Sequence, residues 1–157
     1  MLKIAVSTAV LLCTVAAGLA FAAPPVKPSP RDKCPVCGMF VAKYPDFTTH
    51  LEYRDGTVVF FDGSKDLFRY LHDLKKYAPG RKLADIGRIM VDDYYSLKQI
   101  DARSAWFVLG SDVYGPMGKE LVAFSTKADA EGFSRDHLGK GILRFREVTS
   151  AILKGLE

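Results

Sequence analysis

The sequence predicts an α+β protein built from two similar small ββαβ units that pack together. The order strand, strand, helix, strand occurs twice along the chain, and aromatic strand ends precede helix-capping residues at matching places. These places are Phe61 before Ser64 and Phe124 before Thr126. Apolar residues make up 48% of the sequence, which is enough for a packed core. Because one unit is too small to bury its own apolar face, we expect both units to share that core.

The first unit is predicted over residues 33–98. An Asp-Gly hairpin signal at Asp55 and Gly56 separates two stretches of strand character. The Asp-Gly-Ser sequence at 62–64 then offers N-cap chemistry for a helix, which ends at the Ala-Pro-Gly sequence at 78–80. The predicted strands of this unit cover residues 47–53, 57–61 and 86–94.

The second unit is predicted over residues 99–157. Thr126 can cap a helix with Asp129 three residues later, in the manner of a capping box, and this helix is expected to run to Leu138. Glycines and a proline at 110–118 predict a turn-rich loop between the first two strands. A short helix is expected near the C-terminus. The predicted strands of this unit cover residues 105–109, 120–124 and 142–148.

The N-terminal segment predicts an exported protein. Lys3 precedes a mostly apolar run over residues 4–21, and an Ala-Phe-Ala sequence ends this run in the manner of a signal-peptide cleavage site. Residues 1–22 are therefore predicted to be a signal peptide, and the mature protein is expected in the periplasm. The run is also close to the length of a spanning helix, so a soluble and an N-terminally anchored form both stay open. Residues 23–32 contain four prolines and predict an extended linker.

Charge and motif content argue against two large functional classes. The formal net charge is +4, and the basic residues are scattered along the chain, which does not favour nucleic-acid binding. The sequence also lacks a Ser-His-Asp arrangement and a phosphate-binding glycine loop. We therefore expect neither a nucleic-acid-binding protein nor an enzyme.

The sequence Cys34-Pro-Val-Cys37-Gly-Met39 places three sulfur atoms within six positions. Thiolate and thioether ligands together select soft ions such as Cu(I), whereas Zn(II) is usually held by Cys and His. Cys13 lies within the predicted signal peptide, so Cys34 and Cys37 are the only cysteines expected in the mature protein. Two cysteines cannot form a disulfide scaffold or a four-cysteine zinc site.

Three uses of the cysteine pair stay open from the residues alone: a metal site, a redox-active dithiol and a structural disulfide. The redox interpretation is weakened because Pro45 interrupts any helix that begins behind Cys37. Without that helix, the thiol gains little activation from a helix dipole. Met39 fits either a metal ligand or a hydrophobic lid over the site.

A second sulfur site lies in the sequence Gly115-Pro-Met117-Gly. Methionine usually fills a core, but a loop with two glycines and a proline cannot easily bury Met117 by periodic packing. The Met117 thioether is therefore a candidate metal ligand. Of the three histidines, His50 is nearest in sequence to the cysteines. Each histidine is better explained as a solvated or core-edge residue than as a ligand.

The two sulfur motifs belong to a longer pattern that resembles the NosL family, the accessory proteins of nitrous oxide reductase assembly, which handle Cu(I) outside the cytoplasm. The resembling segments follow one another in the expected order over most of the mature chain, so their joint match is specific. These segments are residues 34–44, 61–68, 93–96, 108–111 and 114–121.

The resemblance implies a copper metallochaperone of two ββαβ units, with copper-delivery machinery and the nitrous oxide reductase apoprotein as its partners. It also implies that Cys37 and Met117 bind the copper. With Cys34 as a further thiol, the predicted Cu(I) site comprises Cys34, Cys37 and Met117, and Cys34 is either a ligand or a redox partner. Family members are commonly lipoproteins, whereas the residues before Cys13 do not form a convincing lipid-attachment signal.

Overall fold

The computed structural model describes residues 25–157. The predicted signal peptide at 1–22 and the first two residues of the predicted linker lie outside the described residues. None of the helices within 25–157 is both long and apolar enough to cross a membrane. Residues 25–32 run as irregular chain and turn, and the backbone of Val26 exchanges hydrogen bonds with the Gln99 side chain. This segment is thus attached to the folded part of the chain.

The first sheet contains four antiparallel strands. β1 (Thr49–Tyr53) and β2 (Val58–Phe61) form the predicted hairpin. β3 (Ile86–Asp92) pairs with β1, and the short β4 (Gln99–Asp101) pairs with β3, which gives the order β2-β1-β3-β4. β4 has no counterpart among the predicted strands, and it lies beyond residue 98, the predicted end of the first unit.

The helical segment after β2 is divided in two. α1 (Ser64–His72) and α2 (Leu74–Tyr77) are separated by Asp73, whose side chain accepts a hydrogen bond from the Lys76 N–H and so caps α2. The predicted continuous helix is therefore interrupted, although its C-terminal end agrees with the prediction. Within the predicted capping sequence, Gly63 holds the N-cap position of α1 and contributes no side-chain cap.

The second sheet contains three antiparallel strands. They are β5 (Trp106–Gly115), β6 (Gly118–Phe124) and β7 (Gly141–Arg144), in the order β6-β5-β7. α3 (Lys127–Asp136) connects β6 to β7, and α4 (Ser150–Lys154) follows near the C-terminus. The order of these elements agrees with the order predicted from the sequence.

The connection between β5 and β6 differs from its prediction. Most of the turn-rich loop predicted at 110–118 is strand, because β5 and β6 continue to a tight turn at Pro116 and Met117. A register shift between Leu109 and Tyr114 accommodates the glycine and polar residues of this stretch. Glycine and polar residues thus mark an irregular ladder here, and the sequence interpretation mistook them for a loop.

The C-terminal elements begin as predicted and end earlier. The Asp129 N–H donates to Thr126 Oγ1 at 3.1 Å, so the predicted cap of α3 is confirmed. α3 ends two residues before Leu138, which takes a positive φ of 58°. β7 ends well before the predicted residue 148, because the 3₁₀ turn Phe145–Glu147 follows it.

In both sheets the first strand lies between the second and the third, and the first sheet adds β4 beyond β3. Helix α1 packs into both halves, and its Phe68 contacts Phe107 of β5 with ring centroids 5.2 Å apart. Leu51 of β1 and Leu121 of β6 belong to the same buried cluster. The fold is therefore α+β, as predicted, with one core shared by two sheets, and β6 lies beside the first turn of α1.

Candidate metal centre

The two cysteines lie in a tight loop before the first strand. The Cys34 N–H donates to the Met39 carbonyl at 2.9 Å, and the Gly38 N–H donates to the Cys34 carbonyl at 2.8 Å. Gly38 adopts a φ of 81°, a left-handed conformation that favours glycine. These contacts fold the segment back on itself, with Cys34 only 1% exposed and Cys37 half-buried. Both side chains are free thiols in this structure.

Two buried carboxylates face these thiols. Cys34 Sγ donates to Asp66 Oδ2 at 3.3 Å, and Cys37 Sγ donates to Asp62 Oδ1 at 3.3 Å. The ligand atoms of these four side chains all lie within 4.8 Å of one another. Among residues 25–157, no other group of three or more Cys, His, Asp or Glu side chains converges in this way. The four residues therefore form the candidate metal centre.

The start of α1 explains the position of both carboxylates. Asp62 directly follows β2 and precedes the N-cap residue Gly63, and Asp66 lies in the first turn of α1, so both side chains stand at the helix start. The positive end of the helix dipole stabilises carboxylates at this position. The Arg69 guanidinium donates to Asp66 Oδ1 at 3.0 Å and partly balances its charge. The helix start thus presents two acidic side chains to the cysteine loop.

Burial keeps both thiols protonated at neutral pH. It raises the pKa of the Cys37 thiol from 9.0 to about 11 and raises the pKa of Cys34 further, while backbone hydrogen bonds oppose these shifts. The nearby carboxylates accept hydrogen bonds from the protonated thiols, which also favours the protonated form. A metal ion that binds both sulfur atoms must therefore displace two protons.

Thiolate formation at Cys37 is expected only near pH 11, well above the ordinary value of 9.0. Because the folded state holds this proton more tightly than the unfolded state, Cys37 contributes stability below pH 9.0, and that contribution is lost as the pH rises through 11. The pH dependence of alkylation of the Cys34→Ser variant measures this midpoint, with the denatured variant as control. A midpoint at or below 9.0 in the folded variant would contradict the described burial.

The third predicted ligand, Met117, lies at the tip of the β5–β6 hairpin and is 42% exposed. Lys65 on α1 ties this tip to the helix start. Its Nζ donates to the Met117 carbonyl at 2.6 Å and to the Lys119 carbonyl at 2.8 Å. The structure therefore brings Cys34 and Cys37 together, and it attaches the turn that carries Met117 to the helix that faces the two thiols.

The other ligand candidates were Met39 and His50. Met39 is partly buried within the cysteine loop. His50 is buried on β1, where its Nε2 lies 3.4 Å from Glu52 Oε1, and burial lowers its pKa. Side chains alternate between the two faces of a sheet, so His50 points to the face opposite that of Leu51. The face that carries Leu51 packs against α1. His50 is therefore outside the candidate metal centre.

Sequence reasoning missed Asp62 and Asp66 as members of the centre. It treated Asp62 as part of a capping sequence and gave Asp66 no role. The available signal is the spacing of two aspartates four residues apart at a predicted helix start, which places both carboxylates on one side. That spacing does not identify the segment that packs over it, so the contact with the cysteine loop emerges only in the fold.

Comparison with known proteins shows the family of this chain. The sequence matches the NosL family over residues 25–153. The copper-binding lipoprotein NosL of Stutzerimonas stutzeri is 29% identical over 131 residues, which cover 83% of this chain and 68% of that protein. The crystal structure of the copper chaperone NosL from Shewanella denitrificans has a TM-score of 0.68 and 31% identity, covering 82% of this chain and 97% of that chain. Because the family match spans most of the sequence, this chain belongs to the NosL family.

Proposed function

We propose that this protein is a periplasmic Cu(I)-binding metallochaperone, and that Cys34, Cys37 and Met117 hold the copper. The observation that carries the proposal is the convergence of two thiols on the first turn of α1, to which Lys65 also ties the methionine hairpin. Three sulfur ligands on two loops suit a soft ion such as Cu(I). The relatives support the metal, since one is named a copper-binding lipoprotein and the other a copper chaperone.

Copper loading releases the two thiol protons in this account. Each Sγ–H bond is replaced by an Sγ–Cu bond, and Asp62 and Asp66 already accept the hydrogen bonds of these protons. Asp62 and Asp66 therefore lie at the point where these protons leave the thiols. Because protons compete with copper for the sulfur atoms, the apparent Cu(I) affinity rises with pH.

The burial of the three ligands suits a protein that passes copper on. Cys34 is buried, Cys37 is half-buried and Met117 is exposed. An incoming ligand therefore displaces the thioether first, because Met117 is the most accessible ligand and a thioether binds more weakly than a thiolate. Copper then moves by ligand exchange between the two proteins, without release of the free ion.

We further propose that the recipient is the nitrous oxide reductase apoprotein, which this protein serves together with copper-delivery machinery. Membership of the NosL family supports this assignment, because the resemblance to that family implies a role in nitrous oxide reductase assembly. Export is supported by the signal-like sequence at 1–22 and by the relative that is named a lipoprotein. In this role the protein carries copper and catalyses no reaction.

A dithiol oxidoreductase is the alternative, and two observations disfavour it. The pKa values of both thiols are raised by burial, whereas a redox-active cysteine needs its thiolate form. Only the short 3₁₀ turns Val41–Lys43 and Pro45–Phe47 follow Cys37 before β1. No α-helix therefore begins behind Cys37 to activate it.

An anaerobic competitive titration of the reduced protein tests the proposal. A Cu(I) chelator of known affinity competes for the metal, and we expect one Cu(I) to be retained per chain, with a much weaker response to Zn(II). Retention of no copper against the chelator would contradict the chaperone function. Turnover of a model disulfide without copper would instead support the oxidoreductase.

A further inference from the structure

Lys65 and Glu120 are both almost fully buried, at 2% and 3% exposure. Charged side chains are rarely buried to this extent unless each one is satisfied by close partners, because leaving water costs several kcal/mol otherwise. Neither residue belongs to the group of Cys34, Cys37, Asp62 and Asp66. Their burial therefore has its own explanation, which lies in the contact between α1 and the β5–β6 hairpin.

The two side chains hold the helix and the hairpin to each other reciprocally. Lys65 Nζ, on the helix, donates to the Met117 and Lys119 carbonyls of the hairpin at 2.6 and 2.8 Å. Glu120 Oε1, on the hairpin, accepts from the Lys65 N–H at 2.6 Å and from its own neighbour, the Leu121 N–H, at 2.8 Å. Glu120 thereby caps the helix start, which lacks a capping side chain of its own.

Glycine permits this close approach. A Cβ atom at Gly63, the N-cap position of α1, would collide with the Glu120 carboxylate. A Cβ atom at Gly115 would lie within 3.0 Å of the Glu120 side chain, which is tighter than ordinary van der Waals contact. The Glu120 carboxylate therefore occupies a space that exists because side chains are absent on both the helix and the hairpin.

We propose that Lys65 and Glu120 form a clamp that positions the Met117 thioether toward the two cysteines, so that both are positioning residues for the copper site. This inference rests on the proposed function. Asp62, just before α1, and Asp66, in its first turn, contact the cysteine loop, and Lys65 in the same turn contacts the hairpin. The start of α1 thus contacts both sulfur-bearing loops. A fixed tip lowers the entropy cost of recruiting an exposed methionine to the metal.

A double-mutant cycle tests whether Lys65 acts through Met117. Lys65→Leu removes the donors of the side chain and adds no sulfur atom that could bind Cu(I). We expect it to weaken Cu(I) affinity by about 10- to 100-fold, the range found for the outer partners of metal ligands. In the Met117→Leu background, the same change should have almost no further effect, because the thioether that Lys65 positions is already gone. Lys75→Leu, at an exposed position of α2, should leave the affinity unchanged.

The outcomes separate this proposal from a merely structural role. Equal losses of affinity in the parent and in the Met117→Leu background would overturn the clamp, since Lys65 would then act independently of the thioether. If the parent binds no Cu(I), the proposed function itself fails. If the parent binds Cu(I) and the Lys65 substitution costs the same affinity with and without Met117, only the clamp is refuted. X-ray absorption of the copper-loaded Lys65→Leu variant should also show one sulfur neighbour fewer than the parent. An unchanged sulfur count would contradict the clamp.

A second variant covers the case in which Lys65→Leu does not fold. Lys65→Gln retains a polar N–H donor one bond shorter than the lysine ammonium, so it should fold more readily and lose less affinity than Lys65→Leu. Circular dichroism of each apoprotein establishes the folded state before copper is added. The clamp would also be overturned if a folded Lys65→Gln variant lost the same Cu(I) affinity in the parent and in the Met117→Leu background.

Discussion

Closing a disulfide between Cys34 and Cys37 is expected to abolish tight Cu(I) binding. Two thiols lose two protons and two electrons to the oxidant as the bond forms, so neither sulfur remains available as a thiolate. The Cu(I) affinity should fall by about two orders of magnitude or more, because both thiolates are lost and removal of even an outer partner of a metal ligand costs about 10- to 100-fold. Competitive Cu(I) titration of oxidised and reduced protein measures the difference.

Re-reduction provides the control for this experiment. Treatment of the oxidised protein with a reductant, followed by its removal without oxygen, should restore the original affinity. Oxidised protein that binds Cu(I) as tightly as reduced protein would show that the thiols do not hold the metal. The same samples address the redox interpretation, because a dithiol centre would transfer its disulfide to a model thiol without any copper.

Replacing Met117 by Leu is expected to separate copper binding from folding. Met and Leu have similar volumes and Met117 is 42% exposed, so the free energy of unfolding should change by less than about 1.5 kcal/mol. The Cu(I) affinity should fall because one of three sulfur ligands is lost. Copper should then raise the melting temperature less than in the parent, since ligand stabilisation follows binding.

A second methionine supplies the matched control. Met90 lies on β3, and its cross-strand partner on β1 is His50, on the sheet face opposite Leu51. Met90→Leu should therefore leave the Cu(I) affinity unchanged. The ligand role of Met117 would be refuted if Met117→Leu unfolded the protein while the remaining folded fraction bound copper normally. Met117 would then be a packing residue of the hairpin.

Local patterns were sufficient to predict the order of elements and the fold class. The Asp-Gly turn, the Thr126 cap and the apolar helix positions each depend on residues close together in the chain, so their sequence signals are direct. Errors occur where backbone pairing or capping overrides the pattern of residue types. Residues 110–118 look like a loop, yet pairing with β6 holds most of them in a strand. The interruption at Asp73 also follows from capping within a longer apolar pattern.

The residues of the candidate metal centre could be predicted only where they lie close together in the sequence. The sulfur atoms of Cys34 and Cys37 could be assigned to one site from their spacing, because a short loop keeps them close. The carboxylates of Asp62 and Asp66 could not, since their contact with the thiols spans 25 and 32 residues of chain. The buried pair formed by Lys65 and Glu120 joins residues even further apart, and only the packing of β6 on α1 creates it.

X-ray absorption spectroscopy of the copper-loaded protein tests the central claim most directly, because it counts the atoms bound to the metal. The reduced protein with one Cu(I) per chain should show three sulfur neighbours from Cys34, Cys37 and Met117, and the Met117→Leu variant should show two. A shell of oxygen or nitrogen neighbours in the parent, or a sulfur count that Met117→Leu leaves unchanged, would contradict the proposed copper site.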